Sequence, residues 1–197
     1  MLNEISHLDA EELLHLSIKA MQSNNHDTAI TYLKRTIELE PSNAQAHYLL
    51  AAEYAEIGMY DRAADGMKHA LELNPNLPTT RFQLGLLHIT SGNVEMARET
   101  WEALSELGDE NPLYLFKEGL LKLAEDNFLE CDQLLRKGIA NNDVNKALNQ
   151  DMERILNNIK DKVETPAAEV EEPVEELEEQ PASHAFLSKY KSPDTSH

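Results

Sequence analysis

The side chains with the most chemical potential in this sequence are its eight histidines and its one cysteine. Histidines bind zinc when they recur in pairs at short helical spacings, such as His-x3-His or His-Glu-x2-His. No such pair occurs among the histidines of the repeating part of the chain, which lie more than ten residues from one another. These histidines are His15, His26, His47, His69 and His88. The spacing therefore predicts no metal site, and it favours a packing role for His47 and His88.

Signals for nucleophilic or phosphate chemistry are equally weak. The sequence has no Gly-x-Gly-x-x-Gly or Gly-x4-Gly-Lys-Ser/Thr loop and no Gly-x-Ser-x-Gly elbow. The one thiol belongs to Cys131, and a single cysteine cannot form a disulfide within the chain. The many carboxylates recur at helical spacing, as expected of solvated helix surfaces. We therefore expect no enzymatic activity and no cofactor.

The net charge of −19, from 17 Lys and Arg against 36 Asp and Glu, excludes further classes of partner. Nucleic acids and anionic membranes attract proteins through Lys and Arg, so we expect neither as a partner. Residues 1–9 have no apolar core of the kind that a secretory signal carries. No apolar run approaches the roughly 18 residues of a membrane span. The sequence therefore predicts a cytoplasmic protein without direct membrane insertion.

Apolar residues as far as residue 160 recur every three or four positions, which predicts helices. Similar residues also recur every 34 positions, and a fixed period of this length is typical of stacked repeats. The clearest columns are Ala29, Ala63, Ala97 and Cys131; Leu16, Leu50 and Leu84; Ser17, Ala51, Gly85 and Gly119; Gly58 and Gly92; and Pro41 and Pro75.

These columns resemble the tetratricopeptide repeat, whose signature reads W-x2-L-G-x2-Y, then A-x3-F, then P. The second repeat matches it as His47-x2-Leu50-Ala51-x2-Tyr54, Ala63-x3-Met67 and Pro75. The first repeat matches as Leu13-x2-Leu16-Ser17-x2-Ala20, Ala29-x3-Leu33 and Pro41, and the third as Arg81-x2-Leu84-Gly85-x2-His88 and Ala97-x3-Trp101. The small positions let the two helices of a repeat approach closely, and the large positions fill the layers between repeats.

The resemblance implies an all-α fold, a helix–turn–helix repeat solenoid, within a domain of residues 1–162. Its repeats span about 10–43, 44–77, 78–111 and 112–145, and residues 146–160 form an amphipathic capping helix. The fourth repeat is degenerate, because Glu118 and Lys122 stand where large apolar residues are expected. Pro112 falls 37 residues after Pro75, which suggests a longer preceding turn and leaves the register of the first helix open.

In this family the first helices of the repeats line a concave groove that binds a peptide or helix of a partner. The resemblance places one apolar ladder in that groove: Leu14, Ile18, Met21, Tyr48, Ala52, Phe82, Leu86, Ile89, Phe116 and Leu120. Two interpretations remain open, namely a groove that receives a partner protein and a groove covered by the chain's own C-terminal helix or tail. The carboxylate clamp of chaperone adaptors is disfavoured, because the corresponding positions hold no Lys, Arg or Asn. Those positions are Leu14, Ile18, Leu49, Thr79 and Gln83.

The composition changes after residue 162. Residues 163–197 are predicted to be a disordered acidic tail, because residues 164–180 contain eight Glu and two Pro. Residues 183–191 restore apolar character through Phe186, Leu187 and Tyr190. This segment is either a frayed terminus or a short binding motif, and a motif here would allow tail-mediated self-association.

The sequence as a whole favours a non-catalytic adaptor that binds a protein or peptide partner in an apolar groove. A secretion-type chaperone that shields a hydrophobic client is the main alternative, since such chaperones have a similar size and charge. A subunit of a cell-envelope or polysaccharide assembly machine is a further alternative.

Overall fold

A computed structural model describes residues 7–164, and all regular secondary structure over these residues is helical. The helices are α1 (Ala10–Gln22), α2 (His26–Leu39), α3 (Ala44–Glu56), α4 (Tyr60–Leu73), α5 (Pro78–Thr90), α6 (Val94–Trp101), α7 (Pro112–Ala124), α8 (Phe128–Asn141) and α9 (Lys146–Glu164), with a 3-10 helix at Glu102–Leu107. Successive helices pair as helix–turn–helix units in α1–α2, α3–α4 and α7–α8. The predicted all-α repeat fold is confirmed. The predicted acidic tail and its motif at residues 183–191 lie outside the described residues.

The first helices of the repeats begin at residues 10, 44, 78, 112 and 146, which are steps of 34. Asparagine side chains cap several of them, and Asn43 accepts a hydrogen bond from the Ala46 N–H at 3.0 Å. Pro112 lies in the first turn of α7, where a proline is tolerated because the first N–H groups have no helical acceptor. The expected longer turn before Pro112 is therefore wrong, because this proline starts α7 in register with Pro78.

Every turn within a repeat contains one residue in the left-handed conformation. These residues are Asn24, Gly58, Gly92 and Asp126, with φ of 54°, 79°, 80° and 56°. In each turn the next N–H donates to the carbonyl five residues earlier: Asn25 to Ala20, Met59 to Tyr54, Asn93 to His88 and Asn127 to Lys122. Glycine, asparagine and aspartate are the residues that adopt this conformation most readily. The four turns are therefore one structure, although their sequences differ.

Over the described residues the chain divides into two compact units, with the boundary between residues 87 and 88. In the described part of the first unit, Ala51, Met67 and Leu84 form a buried cluster, against which Leu71 and Leu87 pack. The small columns are fully buried here, with Ala29 and Ala63 at 0% exposure. Gly66 lies so close to α3 that a Cβ on it would meet the Cβ of Ala51 at 2.8 Å. The paired helices therefore approach through small residues, as the sequence predicted.

In the second unit, the helix that follows the Gly92 turn changes from an α-helix to a 3-10 helix. Helix α6 ends at Trp101, whose side chain is fully buried, and the next six residues form the 3-10 helix. The Lys117 ammonium, on α7, donates to the Ser105 hydroxyl of this segment at 2.8 Å and pairs with Glu118 at 2.9 Å. A buried lysine thus joins the 3-10 helix to α7, which the sequence did not predict.

Helix α9 follows α8 and packs on it through one apolar stripe. Met152, Ile155 and Ile159 are buried on that stripe, and the opposite residues are exposed. The Lys162 ammonium lies 4.8 Å from the centre of the Phe128 ring, a cation–π contact that attaches the last turn of α9 to the start of α8. The helix extends to Glu164, four residues beyond the end expected from the sequence.

Substituting Gly138 with alanine should destabilise the second unit. A Cβ on Gly138 would meet the buried Phe116 ring at 2.5 Å, and this rigid ring cannot swing away as a flexible chain end would. Overpacking of this kind costs about 1–3 kcal/mol, which outweighs the gain of up to about 1 kcal/mol in helix propensity. Urea denaturation followed by circular dichroism should show a lower free energy of unfolding. Gly138→Ala combined with Phe116→Leu should lose less than the sum of the single changes, and simple additivity would contradict the contact.

Candidate functional site

The structure divides the predicted groove residues into two groups. Six are partly exposed, and all six lie in the first unit: Leu14, Ile18, Met21, Tyr48, Ala52 and Leu86. The other four are buried, at 1%, 6%, 0% and 3% exposure respectively: Phe82, Ile89, Phe116 and Leu120. The partly exposed set is called the first-helix face below, because its members lie on α1, α3 and α5.

Phe116, one of the buried group, owes its burial to a contact with another helix, which the periodicity of its own helix does not reveal. The Phe116 ring lies against Gly138 of α8, so it packs between the two helices of its own repeat. Helix α7 buries residues on several sides, including Leu115, Leu121 and Leu123. The fourth repeat therefore uses its ladder positions for its own core.

The first-helix face lies beside the buried core of the first unit. On the same helices Leu13 and Ala51 are buried at 0% and Leu84 at 4% exposure, whereas Leu16 and Leu50 of the large column are partly exposed, as the face is. Ile18, Ala52 and Leu86 form one column at 34-residue spacing, yet each keeps part of its surface exposed. Each of these first helices thus has one apolar surface turned into the core and a second one that the described chain leaves partly open.

The polar groups beside this face are already engaged. Tyr48 is hydrogen-bonded to Gln83 of α5, and burial raises the pKa of its hydroxyl above the ordinary value while that hydrogen bond lowers it. The Arg81 guanidinium donates to the Pro75 carbonyl at 3.1 Å. The face therefore offers apolar surface and a neutral hydroxyl, without the cluster of cations that a carboxylate clamp requires.

A buried acid joins the first two repeats. The Glu53 carboxylate, whose side chain is only 2% exposed, accepts a hydrogen bond from the His26 Nδ1–H at 2.9 Å. His26 is the first residue of α2 and Glu53 lies on α3, so this contact fixes one repeat against the next. A buried carboxylate is costly without such a partner. The two residues lie 27 positions apart, and no pattern in a single sequence predicts a contact at that separation.

His47, His69 and His88 serve packing and local hydrogen bonds. His88 is buried at 7% exposure, whereas His47 is partly exposed. The His47 Nε2–H donates to the Pro41 carbonyl at 2.9 Å, and its ring contacts that of His69 edge-on, with centroids 4.6 Å apart. Among residues 7–164 no group of three or more His, Cys, Asp or Glu side chains is arranged to hold a metal ion.

The thiol of Cys131 is enclosed in the second unit. Its side chain is 0% exposed and occupies the small position of the fourth repeat, beside α7. Burial raises the pKa of this thiol to about 12, and the neighbouring charge of Asp132 adds to the effect. A protonated, inaccessible thiol suits a packing residue and not a nucleophile.

The comparisons with known proteins agree with this architecture. The family model for the tetratricopeptide repeat matches residues 20–76. The comparison with curated proteins gave no match. One similar solved structure is MamA, at 22% identity and a TM-score of 0.59, where the match covers 71% of this chain and 82% of MamA.

Two other similar structures are much longer than this chain. The match to the APC/C hetero-tetramer Cut9–Hcn1 has 20% identity and a TM-score of 0.64, and it covers 71% of this chain but 27% of the other. The match to a mutant O-GlcNAc transferase from Thermobaculum terrenum has 23% identity and a TM-score of 0.55, and it covers 66% of this chain and 26% of the enzyme. At these identities the likeness concerns the fold.

Within the described range, no helix combines the length and the apolar character that crossing a bilayer requires.

Removing the partner of Glu53 should destabilise the first unit. His26→Ala leaves a buried carboxylate without its hydrogen bond, so we expect a loss of about 2 kcal/mol in the free energy of unfolding. The same measurement on Arg35→Ala is the matched control, because the Arg35–Glu38 pair lies at the surface, and such pairs contribute about 1 kcal/mol or less. Adding Glu53→Gln to His26→Ala should restore part of the loss. Equal losses for His26→Ala and Arg35→Ala would contradict the assigned role.

Cys131 should react slowly with iodoacetamide while the protein is folded. With a pKa of about 12, its thiolate fraction at pH 8 is over a thousandfold below that of an ordinary cysteine, whose pKa is about 8.5. Mass spectrometry should therefore detect carboxamidomethylation only after denaturation. Rapid labelling of the folded protein would show that the thiol is exposed or ionised.

Proposed function

We propose that this chain, whose residues 20–76 match the tetratricopeptide repeat model and whose helix pairs repeat every 34 residues, is a non-catalytic adaptor that binds an apolar segment of another protein. The proposed binding surface is the first-helix face of residues 7–87. The segment is an amphipathic helix or an extended peptide, the two shapes that apolar grooves accept.

The observation that supports this proposal most strongly is the second apolar surface of the first helices. Leu14 and Tyr48 occupy one 34-residue column, and Ile18, Ala52 and Leu86 occupy another. These positions are partly exposed, whereas Leu13, Ala51 and Leu84 of the same helices are buried. A surface that only faced water would have no need of apolar residues at every one of these positions.

The chemistry of the face also favours one class of partner. Its only hydroxyl, that of Tyr48, already bonds Gln83, and Arg81 is engaged with Pro75, so little remains to hold a charged chain end. A fully buried leucine, isoleucine or phenylalanine anchor contributes about 1.5–3 kcal/mol. Three or four such anchors exceed the cost of association and reach about micromolar affinity.

The non-catalytic part of the proposal rests on the state of the reactive side chains. Cys131 is buried and protonated, His26 is bonded to Glu53, and His47 is bonded to Pro41. The likeness to an O-GlcNAc transferase covers 26% of that enzyme's chain at 23% identity and concerns the fold.

The proposal predicts that charge on the first-helix face abolishes partner binding. Leu14→Glu with Ile18→Glu buries two carboxylates in the proposed contact, so we expect at least a hundredfold loss of affinity, equivalent to about 2.7 kcal/mol. The measurement is quantitative mass spectrometry of proteins retained from a lysate of the source cells by the immobilised full chain.

The matched control places the same two charges elsewhere in the first repeat. Gln22→Glu with Thr31→Glu alters exposed residues of α1 and α2 and should retain the full set of partners. Ala52→Glu, on α3, is an independent variant of the face and should lose the same partners. Circular dichroism checks that each variant folds. Unchanged partners in both face variants would refute the proposal.

A further inference from the structure

We propose that the first-helix face selects a partner segment that carries lysine or arginine at both ends of its apolar stripe. Glu11 and Glu56 are the residues that make this selection. The inference rests on the proposed function, because it concerns the same face, and it adds the charge of the partner to its apolar character.

Both glutamates border the face along its own helices. Glu11 precedes Leu14 by three residues on α1, and Glu56 follows Ala52 by four residues on α3. Residues three or four apart are neighbours on the surface of a helix. Glu11 lies in the first turn of α1, whereas Glu56 is the last residue of α3. The apolar residues therefore have one carboxylate beside them at the start of one first helix and another at the end of the next.

The two glutamates are also the ones that the first unit leaves without a partner. Within residues 7–164 neither side chain makes an ion pair or a hydrogen bond, and both are exposed. The other glutamates of residues 7–87 are each bonded: Glu12 to the Asp9 N–H, Glu38 to Arg35, Glu40 to Asn43, Glu53 to His26 and Glu72 to His69. Among the glutamates of this range, the unpaired ones are thus those that border the apolar face.

Cations of the first helices do not neutralise this border. The exposed Lys19 of α1 lies one position from Ile18, so it occupies a different side of the helix. The Arg81 guanidinium, on α5, donates to the Pro75 carbonyl. Residues 7–87 contain 11 acidic and 6 basic side chains, a net charge of −5, so the wider field has the same sign. An apolar segment with basic ends is complementary to this surface.

The size of the preference follows from the exposure of the two carboxylates. An exposed ion pair changes affinity by a factor of about three, because solvent and salt screen it, and two such pairs give about tenfold. A segment with acidic ends meets repulsion at the same positions and should bind more weakly still. The Debye length falls from about 10 Å at 0.1 M salt to about 3 Å at 1 M, so the preference should shrink at high salt.

The test measures the affinity of the full chain for two fluorescein-labelled synthetic amphipathic helices by fluorescence anisotropy. The two peptides share one leucine stripe, and one has lysines at both ends where the other has glutamates. The lysine-ended peptide should bind at least about tenfold more tightly, and Glu11→Gln with Glu56→Gln should weaken its binding about tenfold. The matched control, Glu38→Gln with Glu72→Gln, removes the same charge from α2 and α4 and should leave the affinity unchanged.

A neutral variant of the face separates this inference from the proposed function. Leu14→Gln with Ile18→Gln removes apolar surface without adding charge, and it should abolish the binding of both peptides. Equal affinity for the two peptides, no binding of the lysine-ended one, or equal losses in the Glu11, Glu56 variant and its control would overturn the inference. With equal affinities, the loss of both peptides from the Leu14, Ile18 variant would still support the proposed function. Binding that survives in the Leu14, Ile18 variant would show that the face is not the site, and it would refute both proposals.

Discussion

The close approach of the paired helices α1–α2, α3–α4 and α7–α8 is the constraint on which the rest of this structure depends. Ala29, Ala63, Ala97 and Cys131 hold one position in four successive repeats, and each is 0% exposed. A side chain longer than a methyl group or a thiol at this column would push the paired helices apart. Since α2 packs on α3 and α8 packs on α9, a displaced pair would also disturb the large residues of its neighbour.

The same constraint explains why an apolar binding surface can exist without endangering the fold. Because small residues bring the helices together, Leu13 and Leu84 complete the core from one side of their helices. The adjoining side is then free to carry residues such as Ile18 and Leu86, which are only partly buried. Stability and recognition thus depend on different surfaces of one helix, and changes in one surface need not affect the other.

The sequence predicted most of the fold, because residues that pack in the same way in successive repeats recur every 34 positions. The helix starts at residues 10, 44, 78 and 146 follow from it directly. Features that occur once were not predictable. The 3-10 segment after Trp101 and the His26–Glu53 hydrogen bond depend on neighbours far along the chain. The 34-residue period identified the ladder positions of the candidate site. It could not predict which of them are buried, because the burial of Phe116, for example, depends on Gly138 of another helix.

The four equivalent turns determine where this chain can change in length during evolution. Each turn places one left-handed residue, from Asn24 to Asp126, before a hydrogen bond that spans five residues. A residue added or removed there would break this hydrogen bond, and the small column would no longer face its partner helix. The segments between repeats, such as residues 40–43 and 74–77, keep a constant length as well, because the first helices begin at steps of 34 residues. The length of related sequences should therefore vary by whole repeats.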